Sequence, residues 1–465
     1  MSISFYNTMS RKVEEFKPVR DGEVRMYCCG PTVYDYFHIG NARSFMMSDV
    51  IRRYFEYRGY KVTYVMNITD IDDKIIRRAQ EEDMSSEAVA ERYTAAFLED
   101  SARFGIRPAD IHPRATQTID DIIALIQGLI DAGAAYVIDG DVYFRINAYE
   151  AYGKLSRKNI ADLEVGARVE ADTRKEHPVD FALWKNAKPG EPTWDAPWGK
   201  GRPGWHVECS AMAMKYLGQT FDIHAGGNDL IFPHHENEIA QSEALTHQPF
   251  ANYWMHFGFL NIDNEKMSKS LGNFFTTREI LGKYAAEVIR FYYLQTHYRG
   301  PLNFTQEGLD AAKTGLRKLQ TLHETLLDVP SGQTAVDVAE YERRFVEAMD
   351  DDFNTSAAFA VLFDLAREIN TSIQKGGGLE TASRDAARSF LEQSAVDVFG
   401  IIRTGGTPVA DNTLLDGVMQ LLIDIRAEAR AEKQWALSDR IRDGLRELGI
   451  SLEDTRDGTK WKTGE

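Results

Sequence analysis

The 465-residue chain predicts an α/β fold: a parallel sheet split by an inserted unit, then a helical bundle and a small C-terminal α+β unit. Three observations point there. A strand–helix–strand pattern opens the chain, a second buried strand with its own turn and helix returns near residue 221, and amphipathic helical segments fill the region past residue 311.

Taken in order, Val24 to Gly30 (VRMYCCG) reads as a short buried strand stopped by Gly30-Pro31. From Asn41 to Tyr57, apolar residues at Phe45, Met46, Val50, Ile51 and Tyr54 follow a helical period, with Gly59 placed to end the helix. Lys61 to Met66 (KVTYVM) then resumes β-rich sequence. Strand, helix, strand predicts a βαβ unit and so a parallel pair.

Ser86 to Ala135 is mostly helical in pattern, Val142 to Phe144 is a brief strand-like run, and residues 189–206 read as an ordered loop rich in Pro, Gly and Trp. Phe221 to His224 (FDIH) is the returning strand, followed by a tight turn over Ala225 to Asn228 and a helix from about Pro233. Past Ala311 the helical segments break near Gly376-Gly377-Gly378. A linker over Thr404 to Asn412 precedes one long helix and a short strand at Ile450 to Leu452. The expected boundaries are 1–110 and 201–250 for the halves of the sheet domain and 111–200 for the insertion. They are 251–310 for the following region, 311–403 for the bundle and 407–465 for the C-terminal unit.

Composition is that of a water-soluble chain: 43% hydrophobic and 27% charged residues, no apolar run of bilayer length and no signal-like N-terminus. A cytoplasmic location is expected. With only 3 cysteines, two of them adjacent, a disulfide framework is excluded. The net charge of −17 leaves a nucleic-acid partner open, because phosphates are met by local patches.

Two polar motifs carry chemistry. His38-Ile39-Gly40-Asn41 lies between the first strand and its helix, where a helix N-terminus attracts phosphate. Lys266-Met267-Ser268-Lys269-Ser270 places two lysines three apart in a small polar loop, able to reach adjacent phosphates. Separately, His234 and Glu238 stand i, i+4 on an expected helix and so on one face. Cys28 and Cys29 end the first strand, whose neighbouring side chains point to opposite faces, so one of the two can face a site.

In this order and separation, the two polar motifs resemble the signatures of class I aminoacyl-tRNA synthetases. Tyr27 to Asp35 (YCCGPTVYD), Asn67 to Lys74 (NITDIDDK), Gly204 to Ser210 (GWHVECS) and Gly226 to Glu238 (GGNDLIFPHHENE) narrow the resemblance to the cysteinyl-tRNA synthetase family, over essentially the whole chain. It implies a Rossmann-like catalytic domain split by a connective insertion, a stem-contact region, a helical tRNA-binding bundle and an anticodon-binding unit. It also implies activation of L-cysteine with ATP and loading onto tRNA-Cys, by a monomer.

The site residues follow by resemblance. His38, Asn41, Lys266 and Lys269 are expected to act on the triphosphate, with Gly40, Gly227 and Asp229 holding ATP. Thr69, Trp205, His224 and Asp229 are expected to line the cysteine pocket. Position 41 is His in many relatives; Asn41 can donate a hydrogen bond but carries no charge. Cys29, Cys209, His234 and Glu238 are the expected zinc ligands, with Cys28 left to the core, and Mg2+ is expected to arrive with ATP. Arg430, Trp435, Asp439 and Asp454 are expected to read tRNA. A related ligase that joins cysteine to an amino sugar would lack the unit beyond about Thr407, and a silent RNA-binding relative would not need His38, Lys266 and Lys269.

Overall fold

The computed structural model describes residues 2–159, 174–204, 206–263, 265–266, 275–376, 378–403, 412–448, 450–455 and 458–463. Two compact units divide the chain, Met1–Ile402 and Arg403–Glu465.

The first unit opens with an antiparallel pair, β1 (Ser4–Asn7) and β2 (Lys12–Glu15). Its central sheet is parallel throughout. β3 (Glu23–Cys28), α1 (Ile39–Tyr57) and β4 (Lys61–Met66) form the expected βαβ unit, and helices α2 (Asp73–Glu81) and α3 (Ser86–Arg103) follow. The helical reading of Ser86 to Ala135 is divided: α3 stops at Arg103, and α4 (Ile119–Asp131) carries the rest.

An antiparallel sheet then interrupts the parallel one. Its strands are β5 (Ala135–Ile138), β6 (Asp141–Phe144), β7 (Phe181–Asn186) and β8 (Gly201–Pro203), in that order. β5 and β6 are joined by Asp139-Gly140, both with positive φ (51° and 87°), the backbone of a tight hairpin turn. The expected loop 189–206 thus contains a strand, paired to β7 through Trp184–Pro203.

α5 (Val207–Leu217) leads back to the parallel sheet. β9 (Phe221–Gly227), α6 (Glu236–Thr246) and β10 (Ala251–Phe257) complete it, in the spatial order β10-β9-β3-β4. All four strands run the same way, so their C-terminal ends share one edge, the edge at which open α/β sheets bind ligands. The helix expected from Pro233 starts at Glu236. Phe232, which precedes a proline, is extended (φ −142°, ψ 133°), and that breaks the helical path.

β11 (Leu260–Ile262) pairs with β12 (Glu265–Lys266) and with β13 (Leu302–Phe304), flanking α7 (Thr277–Leu281) and α8 (Ala286–Leu294). Beyond them lie α9 (Gln306–Asp328), α10 (Val338–Asp350), α11 (Thr355–Gly376) and α12 (Thr381–Leu391). One apolar core runs from β3 and α1 through α8 and α9 into this bundle. Buried Arg290 of α8 holds the two parts together: it donates to the Phe399 carbonyl at 2.9 Å and meets Asp49 of α1 at 3.3 Å.

The second unit consists of α13 (Asn412–Ala431), α14 (Trp435–Glu447) and a hairpin of β14 (Ile450–Thr455) with β15 (Gly458–Thr463). Its first strand was expected and its second was not. The expected linker lies largely outside the described residues.

Candidate active site and metal centre

β3 delivers its two cysteines to opposite faces. Cys28 turns into the core against α1, where Ser48 donates to its sulfur at 3.4 Å, and burial raises its thiol pKa to about 11. Cys29 turns the other way, with Sγ 3.3 Å from His235 Nε2 and 3.5 Å from Glu238 Oε1. The adjacent turn is tight: a Cβ on Gly30 would stand 1.8 Å from the Asn67 carbonyl oxygen.

Glu238 of α6 is fully buried and accepts from two histidines, His206 Nδ1 and His224 Nε2, both at 2.7 Å. Burial alone would raise its pKa. The two imidazoles overcome that and hold the carboxyl at about 2. His206 immediately precedes α5 with a left-handed backbone (φ 58°), and Cys209 lies one turn into that helix. A hydrogen bond from the Cys29 thiol lowers Cys209 to about 6 and raises Cys29, so the pair offers one thiolate and one thiol near neutrality.

Ligand atoms of Cys29, His206, Cys209 and Glu238 all lie within 4.8 Å of one another. Three of the four expected zinc ligands are therefore together. His234 is one step outside, its Nδ1 2.6 Å from His206 Nε2, because it sits in the irregular turn before α6 and not on the helix with Glu238. A second overlapping group joins Cys29 and Glu238 to His224 and His235. His224 was expected beside the substrate. It is fully buried beneath the cluster, stacked on Trp254 at 4.5 Å. Two buried thiols, a buried ionised carboxylate and a half-buried imidazole form a donor set that suits zinc.

His206 and His235 were not expected here. The signal was present in the local density of histidine around Trp205 and Phe232, but a buried histidine with a structural partner looks the same in sequence.

The first signature motif caps α1. His38 Nδ1 accepts from the amides of Gly40 (3.1 Å) and Asn41 (3.2 Å), which places the proton of a neutral ring on Nε2. Lys266 ends β12, with its backbone paired to Asn261. Lys269 and Trp205 lie outside the described residues. Thr69 follows β4 and is buried, and Asn67 donates to its hydroxyl oxygen at 3.0 Å. Asp229 is exposed just past β9, where a Cβ on Gly227 would come within 2.4 Å of its carboxylate. Cys29, Thr69 and Asp229 therefore follow β3, β4 and β9 at the same edge of the sheet.

In the second unit, Arg430, Trp435 and Asp439 are all exposed. Trp435 and Asp439 are one helical turn apart on α14, and Asp439 pairs with Arg442 at 3.1 Å. Asp454 pairs with Thr459 through the hairpin backbone. No described helix is long and apolar enough to cross a membrane.

Residues 15–314 match the class I (C) tRNA synthetase catalytic domain, and residues 344–403 match the DALR domain. The chain is 52% identical to the cysteine–tRNA ligase of Heliobacterium modesticaldum, over 99% of this chain and 100% of that protein. It is 51% identical to that of Geobacillus thermodenitrificans, over 100% and 99%. Among solved structures it resembles Mycobacterium tuberculosis methionyl-tRNA synthetase in complex with methionyl-adenylate (TM-score 0.56, 15% identity, 82% of this chain and 90% of that one). It also resembles the Agrobacterium radiobacter LeuRS–tRNA–LeuAMS ternary complex (TM-score 0.60, 12% identity, 83% and 85%), and these two likenesses concern the fold. With a parallel sheet opened by the first signature motif, a buried Cys/His/Glu group at its ligand edge and full-length likeness to curated relatives, the chain belongs to the cysteine–tRNA ligases of class I.

Proposed function

We propose that the chain activates L-cysteine with ATP to cysteinyl-adenylate and passes the cysteinyl group to the 3′ end of tRNA-Cys, in the cytoplasm. The observation that carries this reading is the meeting of Cys29, Cys209 and Glu238 at the ligand edge of a synthetase sheet.

In the first step the cysteine carboxylate attacks the α-phosphate of Mg2+-bound ATP and pyrophosphate leaves. His38, with its proton on Nε2, donates toward the charge that develops on the phosphates, and the N-terminus of α1 adds its dipole. Lys266 and Lys269 bring positive charge to the departing pyrophosphate. Asn41 contributes a neutral hydrogen bond. Gly40 and Gly227 let backbone approach the nucleotide, while Asp229 holds the ribose or the substrate ammonium. In the second step the terminal adenosine hydroxyl of the RNA attacks the adenylate. Neither step requires a protein nucleophile, and positioning with electrostatics suffices.

Selection belongs to the buried cluster. Cys29, Cys209 and Glu238 are three of the donors. The fourth is His234, as the resemblance implies, or His206, which lies within 4.8 Å of the other three. Zinc held there would bind a thiolate in preference to a hydroxyl, and so would separate cysteine from serine. The metal contents of His234→Ala and His206→Ala decide between the two histidines. Trp205 and Thr69 line the same pocket. Arg430, Trp435, Asp439 and Asp454 face the anticodon, and the boundaries 1–110, 111–200, 201–250, 251–310, 311–403 and 407–465 mark the working parts.

Attachment of cysteine to total tRNA, with serine in parallel and after chelation, tests the reading. Cysteine charging that is lost on chelation, with no serine charging, is expected. Adenylate formation without RNA charging would instead fit a small-molecule ligase.

A further inference from the structure

We propose that Asn67 is a positioning residue that fixes the Thr69 hydroxyl as a hydrogen-bond donor to the substrate carboxylate, an inference that rests on the cysteine-activating function above. Asn67 is 1% exposed and follows β4, directly beside the turn that leaves Cys29. Its orientation is determined by chemistry. The Gly30 amide can only donate, and it donates to Asn67 Oδ1 at 2.8 Å. The carboxamide NH2 therefore faces Thr69, 3.0 Å from Oγ1.

An NH2 group has no acceptor to offer, so Thr69 must accept, and its own hydrogen is turned away from Asn67. Among the described residues the Thr69 hydroxyl donates to no acceptor. The backbone on either side is held: Thr69 N–H donates to the Pro31 carbonyl at 3.0 Å, and Val33 N–H donates to the Thr69 carbonyl at 3.2 Å. A hydroxyl fixed in this sense favours the acceptor oxygens of an amino acid over its ammonium. One side chain thus joins the turn after Cys29 to a pocket residue, with no contact to substrate of its own.

Asn67→Asp tests the assignment with almost no change in shape. The carboxylate still accepts from Gly30, but its second oxygen now demands the Thr69 hydrogen. In pyrophosphate exchange, the KM for cysteine is expected to rise about tenfold or more, the loss of one hydrogen bond to a charged group. The KM for ATP and the zinc content should stay at wild-type values. Thr69→Val should give the same split, Thr69→Ser should restore the wild-type KM, and the double variant Asn67→Asp/Thr69→Val should be no worse than either single one.

Unchanged cysteine KM in Thr69→Val, or losses that multiply in the double variant, would overturn the proposal, and the Thr69 variants decide it even if Asn67→Asp fails to fold. A wild-type enzyme inactive with cysteine would overturn the function and this inference together. An active wild type with indifferent variants overturns this inference alone.

Discussion

His38 and Thr276 face each other as an antiparallel bridge: Ile39 N–H donates to the Phe275 carbonyl at 3.2 Å, and Thr277 N–H to the Phe37 carbonyl at 3.0 Å. The chain leaving the second signature loop is thereby fastened to the first signature motif. Thr276 is itself held by a reciprocal cap, its hydroxyl accepting from Glu279 N–H at 3.2 Å while the Glu279 carboxylate accepts from Thr276 N–H at 2.8 Å.

Opening that cap with Glu279→Ala should therefore affect chemistry before it affects global stability. The Thr276 hydroxyl still accepts from the backbone N–H of residue 279, so only the carboxylate half of the cap is lost, a local change of about 1 kcal/mol or less. The expected outcome in pyrophosphate exchange is a several-fold lower kcat with an unchanged KM for cysteine, and a KM change confined to cysteine would refute the coupling.

Lys269→Ala should reduce the rate of adenylate formation by about a hundredfold, the scale of removing one electrostatic contact to a developing charge. Cysteine affinity, read by protection of intrinsic fluorescence, should hardly move. Normal exchange in this variant would exclude the lysine from the step.

Cys209→Ser replaces a sulfur donor by a weak neutral one. The purified variant is expected to hold well under one zinc per chain, by metal analysis, and to lose its preference for cysteine over serine. Full zinc content would remove Cys209 from the donor set.

Arg290→Met tests the joint between sheet and bundle. The change removes one cation from the fully buried Asp49, which keeps Arg53 at 2.9 Å and Arg107 at 3.5 Å, and leaves the Phe399 carbonyl without its guanidinium. About 2–3 kcal/mol should be lost, somewhat less than for a buried pair with no second partner. A urea midpoint equal to the wild type would show that the joint contributes nothing.

Trp435 is 58% exposed at the start of α14. Trp435→Ala should raise the KM for tRNA about tenfold, as expected for one lost base stack, and leave pyrophosphate exchange untouched. Equal losses in both assays would mean that the ring supports the fold instead.

Much of this architecture was legible in the sequence because periodicity reports burial. The apolar spacing from Phe45 to Tyr54 marked α1, and the runs around Met26 and Val65 marked the strands on either side. Opposite-facing neighbours on a strand also anticipated that only one of Cys28 and Cys29 could face a site, and the family resemblance pointed to Cys29. The misses have local causes. Asp139-Gly140 is a hairpin signal hidden between short strands, and the helical reading that stopped at Ala135 left β5 unread. Gly458 to Thr463 alternates without enough apolar residues to announce a strand. Phe232 delays α6, which moves His234 off the helix face it was expected to share with Glu238. That His206 would stand beside Cys209 and Glu238 depended on a left-handed residue before α5, which no periodicity encodes.

Cys29 and Glu238 meet across 209 residues of chain. At bacterial or eukaryotic elongation rates of roughly 5–20 residues per second, Cys29 is made about 10 to 40 seconds before Glu238. The first half of the sheet and the whole insertion must wait, or fold, with that thiol still unpartnered. The donor set is therefore complete only once about half of the 465 residues have been made, and any metal that it holds would be taken up after that point.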